Sequence, residues 1–140
     1  MSPEAALHLA KACKLVETAQ DLMKDGYAGE AARGAYLAAL QAAQAYIVEH
    51  AGRAAKTHAG AHSQFAQLAM HELRIDEELR SFLPEGYTLK AIADYEVGDD
   101  AEIPKDEAAA AVEKGRRFVE CIAGVLKSHK NTGPPMTEME

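Results

Sequence analysis

Residues 27–50, "YAGEAARGAYLAALQAAQAYIVEH", are rich in alanine, with larger apolar side chains recurring at three- and four-residue steps. Ala32, Tyr36, Leu40, Ala43 and Ile47 fall on one face of a 3.6-residue helix. Alanine is the best helix former and gives little to a pleated sheet, where β-branched and aromatic residues pack better. Hydrophobic residues make up 48% of the chain but aromatic residues only 6%. A core of this kind is built by helices lying close together rather than by large side chains. The fold expected is all-α, an up-and-down bundle of four to five helices.

The flanking segments carry the same period. Ser2, Pro3 and Glu4 read as a hydroxyl cap, a proline at the first helical position and an acid in the first turn. Leu9, Ala12, Cys13, Val16, Ala19 and Met23 then form the stripe of a first helix ending near Asp25 and Gly26. Past Gly52, a third helix places Ala61, Phe65, Leu68, Ala69 and Glu72 on one side. "IDEELRSFLPEG" reads as a short helical turn stopped at Pro84 and Gly86, and "YTLKAIADY" as helix. After the acidic loop "EVGDDAEIPKD", Pro104 starts a last helix striped by Val112, Gly115, Val119, Ile122 and Leu126, flanked by Ala111, Phe118 and Val125. Residues 1–128 are expected to be the helical domain. Residues 129–140, "HKNTGPPMTEME", have no apolar period and are expected to be a disordered tail.

At 140 residues the chain is one domain, and its net charge of -7 argues against a general nucleic-acid binder. A small local basic site remains compatible with that balance. The two cysteines, Cys13 and Cys121, are far apart and suit a reducing compartment, with Cys13 on the first helix's apolar stripe. Charges interrupt every apolar run of the N-terminus, and no stretch approaches a membrane span. A cytoplasmic protein without membrane contact is expected.

Between the second and third helices lies "GRAAKTHAGAHSQF", which crowds Arg53, Lys56, His58 and His62 beside Gly52 and Gly60. His58 and His62 have the four-residue spacing of a helical metal pair, but two ligands fall short of the usual number, so no metal site is expected. Thr57 can cap the third helix, with Gly60 relieving the turn. The corner either satisfies helix ends, which need such partners anyway, or lines a ligand groove. Both readings stand at this point. There is no phosphate loop of Walker or Rossmann spacing, and no cofactor is expected. "KAIADYEVG" puts Lys90, Asp94 and Tyr95 within six positions, before the acidic loop.

Taken in order, "ARGAYLAALQAAQAYIVEHAGRAAKTHAGAHSQF", "LKAIADY" and "DEAAAAVEKGRRFVECI" resemble the HEPN domain family. The likeness is to its small stand-alone prokaryotic members, in which a Lys-Thr-His-x-Gly corner follows the second helix. It runs from about Glu4 to Leu126. Its most specific pieces are Arg33 with Tyr36, Lys56-Thr57-His58 with Gly60, Phe65, and Ala93-Asp94-Tyr95.

The resemblance implies a homodimer with a groove near its interface, and a nucleotide or RNA ligand. It also implies a minimal nucleotidyltransferase as partner in a toxin–antitoxin pair. Ligand-binding residues would be Arg33, Tyr36, Lys56, Thr57 and His58. Many members are metal-independent ribonucleases using an arginine followed four to six residues later by a histidine. Here Lys90 stands where the arginine is expected and Tyr95 where the histidine is expected. Lysine keeps the charge but lacks the bidentate fork that fits a phosphate. Tyrosine titrates at about 10 and is a poor base at neutral pH. Arg53 and His58 match the spacing, but at the corner rather than at the family's site. A binding module is the first expectation. A ribonuclease toxin using Lys90, Asp94 and Tyr95 with help from His58, and a purely structural dimerisation module, are the alternatives.

Overall fold

A computed structural model of the chain describes residues 1–98 and 102–131. Among them are six helices and no strand: α1 (Pro3–Lys24), α2 (Ala28–Ala51), α3 (His58–Leu68), α4 (Glu77–Arg80), α5 (Phe82–Tyr95) and α6 (Lys105–Asn131). The all-α expectation holds, with α4 a single turn added to five longer helices. Among the described residues, no helix is long and apolar enough to cross a membrane.

Helix α2 is the centre of the bundle and packs against α1, α3, α5 and α6. Its stripe from Ala32 to Ile47 is buried, and so are alanines 31, 35, 38, 39, 42 and 45 on its other faces. A helix buried on most of its faces is a core helix. These alanine faces are therefore used inside one chain, and a second copy would need another surface. At the α2–α6 crossing, a Cβ on Gly115 would lie 3.1 Å from both the Cβ and the carbonyl oxygen of Ala35. Glycine is what lets those two backbones approach.

Helix α1 begins as expected, with Ser2 Oγ accepting from the Ala5 N–H at 3.1 Å. Its buried residues are Ala5, Leu9, Ala12, Val16 and Ala19. Cys13 is exposed, one step off that stripe, so it is not the core residue expected. Every stripe and flank position expected on the last helix is buried. The expectation for residues 129–140 falls mostly outside the described residues, and α6 itself extends to Asn131.

Two boundaries differ from the sequence reading. Helix α3 ends at Leu68, which is exposed, and Glu72 lies beyond it. The Arg80 guanidinium donates to the carbonyls of Ala69 and Glu72 and so takes up the acceptors that a longer helix would use. Pro84 and Gly86 do not stop a helix; they lie in the early turns of α5. A first-turn proline lacks an N–H that would have no helical partner there anyway. A Cβ on Gly86 would meet Tyr36 at 3.1–3.2 Å, so the glycine seats α5 against the middle of α2.

Candidate functional site

Helix periodicity puts Arg33 and Tyr36 on one face of α2, and Tyr87, Lys90 and Asp94 along α5. Where α5 crosses α2, with the start of α3 beside them, these side chains join into one polar seam. The Tyr36 side chain is fully buried, and its hydroxyl lies 3.0 Å from His58 Nδ1 and 2.8 Å from His62 Nε2. The Tyr87 ring packs edge-on to Tyr36, His58 and His62, with centroids 5.6, 6.0 and 5.8 Å away. Lys90 Nζ lies 5.9 Å from the Tyr87 ring centroid and 5.5 Å from that of Tyr95, within reach of a cation–π contact. It also donates to Asp94 Oδ2 at 2.7 Å. Arg33 Nε donates to the other oxygen, Asp94 Oδ1, at 2.8 Å.

The corner is held from below. Gln44, buried in α2, donates to the Ala55 carbonyl at 3.0 Å and accepts from the Ala55 N–H at 2.8 Å. Thr57 caps α3 by accepting from the Gly60 N–H at 2.9 Å. A Cβ on Gly60 would sit 2.9 Å from that same hydroxyl. Glycine is thus needed here for the cap's close approach rather than to relieve a strained turn.

The protonation states follow from these contacts. The Tyr36 hydroxyl has one proton, so it donates to one imidazole and accepts an N–H from the other. Burial, then the neighbouring Tyr87, push Tyr36 well above the usual phenol range. Burial, then the nearby His58, push His62 down, so its imidazole is held neutral. Asp94 is pulled down chiefly by its hydrogen bond from Lys90, with Arg33 adding to the effect. Lys90 is pushed up, chiefly by the same bond. Lys90 is therefore a fixed cation and not a proton acceptor.

The structure brings together Arg33, Tyr36, His58, Lys90, Asp94 and Tyr95 from the sequence reading. It places Lys56 elsewhere, with Arg53, Thr57 and Gly60 at a separate cleft of about 400 Å³. Thr57 is occupied as a cap. Sequence reasoning missed Tyr87, which lies one turn before Lys90. It weighed His62 as a metal ligand or as a polar residue at a helix start, not as a partner of Tyr36. Among the described residues, no group of three His, Cys, Asp or Glu side chains gathers to hold a metal.

The described residues form an all-α bundle whose central helix carries a tyrosine held between two histidines, beside a lysine–aspartate–arginine cluster. A family model for the HEPN domain matches residues 5–126, and the chain belongs to that family. No curated protein matches the chain.

Proposed function

We propose that the α2–α5 seam is a binding site for a nucleotide or an RNA segment. Membership of the HEPN family supports a nucleotide- or RNA-related module. The observation that carries the reading is the Arg33–Asp94–Lys90 cluster set between the tyrosine rings of Tyr87 and Tyr95. One carboxylate shared by two cations leaves positive charge for a phosphate, in a chain whose net charge is -7. Tyr95 is 72% exposed and Tyr87 40% exposed, which leaves ring surface for a base to stack on.

The arrangement favours binding over cleavage. Lys90 holds its proton too tightly to act as a base, and Tyr95 is an exposed ring beside a cation. The test is fluorescence anisotropy of a short single-stranded RNA as salt is varied. Each of Arg33→Ala and Lys90→Ala is expected to weaken binding and to lower the magnitude of the log–log salt slope by about 0.7. Lys56→Ala, in its separate cleft, serves as the control and is expected to change neither. Equal binding by all three variants would remove the site.

A further inference from the structure

The seam continues into a cleft that the charged cluster alone does not explain. Between the start of α2, the end of α5 and the start of α6 lies a space of about 750 Å³. Its polar lining is Tyr27, Glu30, Arg33, Asp94, Glu102 and Lys105. Arg33 and Asp94 belong both to this cleft and to the cluster beside Lys90. Ala93 and Ile103 add apolar wall. The volume lies within the range of small-ligand pockets, about 300–1,000 Å³.

Charge decides what such a cleft can take. Among the described residues its three carboxylates outnumber its two cations, so the cleft itself disfavours a phosphate. Glu30 and Glu102 have no hydrogen-bond or ion-pair partner among the described residues, whereas Asp94 is already engaged by Arg33 and Lys90. Two unengaged carboxylates beside apolar wall and an exposed tyrosine suit a flat apolar ring carrying N–H donors. A nucleobase with an exocyclic amino group is such a ring, since carboxylates accept from that amino group.

We propose that the cleft takes an amino-bearing base of a single strand, whose adjoining phosphate reaches Arg33 and Lys90 and whose next base stacks on Tyr87. This rests on the seam being a nucleotide or RNA site, and it names the ligand as a strand rather than a mononucleotide. Cytosine and uracil separate the base contact from stacking, because their rings are alike in size but their edges differ. Cytosine offers an amino donor on C4, where uracil has a carbonyl and its edge N–H lies at N3 instead.

The experiment is calorimetric titration of the full chain with the tetranucleotides rC4 and rU4 and with CMP. We expect rC4 to bind at least about fivefold tighter than rU4. CMP, lacking the second base and the strand, is expected to bind at least about tenfold weaker than rC4, the loss of one stacked base. In the Glu30→Ala, Glu102→Ala double variant the rC4-to-rU4 ratio is expected to fall to within about twofold. The ratio is the readout, because removing two negative charges raises the affinity of any strand.

Equal binding of rC4 and rU4, with both weakened by Lys90→Ala, would overturn the base contact and leave the seam as a binding site. A ratio that survives the double variant would overturn it as well. CMP binding as tightly as rC4 would overturn the strand. Binding of none of the three ligands would overturn the site and this inference together.

Discussion

The hydroxyl of Tyr36 can be removed with almost no change in shape, which makes Tyr36→Phe the most direct perturbation of the seam. It deletes contacts of 3.0 and 2.8 Å to His58 and His62 from a fully buried side chain. Each neutral hydrogen bond contributes about 0.5–1.5 kcal/mol net, so the variant should lose about 1–3 kcal/mol. At about 2.1 cal/mol/K per residue over 140 residues, 1 kcal/mol corresponds to roughly 3 °C, so the melting point should fall by about 3–10 °C. His62 adds a pH signature. Its folded value lies below its ordinary one, so the unfolded chain binds more protons as pH drops through about 6.5. The His62 contribution is therefore fully present above that value and is lost as the solution is acidified. The assay is urea unfolding at pH 7.5 and pH 5.5 for the parent, Tyr36→Phe, His62→Leu and the double variant. The double variant should lose less than the sum of the singles, because neither partner is then left unsatisfied. His62→Leu should also flatten the pH dependence. A Tyr36→Phe protein as stable as its parent at both pH values, with additive singles, would refute the clamp.

Asp94→Asn should raise affinity for single-stranded RNA by about two- to fivefold, the weight of releasing a partly exposed ion pair, and anisotropy titration checks this against the unchanged net fold. Gly115→Ala should destabilise by about 1 kcal/mol or more despite its better helix propensity, since its Cβ would meet the Ala35 backbone. Gly124→Ala, in open space on the same helix, should stabilise by about 0.5–1 kcal/mol, so a pair of urea midpoints moving the same way would argue against the tight α2–α6 crossing. Thr57→Ala should cost about 1 kcal/mol through its cap, and unchanged unfolding would mean that the corner is held by Gln44 alone.

How far the sequence could be read depended on whether a feature was periodic or a product of packing. The stripes of α1, α2 and α6 were legible because a 3.6-residue repeat is stated along the chain itself. Arg33 with Tyr36 came from the family resemblance, and Lys90 with Asp94 from their closeness in one short segment. The convergence of Tyr36, His58, His62 and Tyr87 was not, because no spacing in the sequence links positions on three helices. The exposed Cys13 shows the limit of periodicity from the other side: one step around a helix separates a core position from solvent, and apolar character did not distinguish them.

The misread boundary and the missed residue have a common cause. Proline and glycine at 84 and 86 carry the composition of a helix stop, but one lies in a first turn and the other faces Tyr36. Breaking the helix there leaves Tyr87 at the start of a separate segment from Gly86, with nothing to place its ring against Tyr36. Once Gly86 is seen as the point where α5 presses on α2, the next residue falls against Tyr36 and its two histidines. The absent side chain at 86 thus positions the ring at 87. A glycine substitution that separates these helices should therefore disturb the seam before it disturbs the fold.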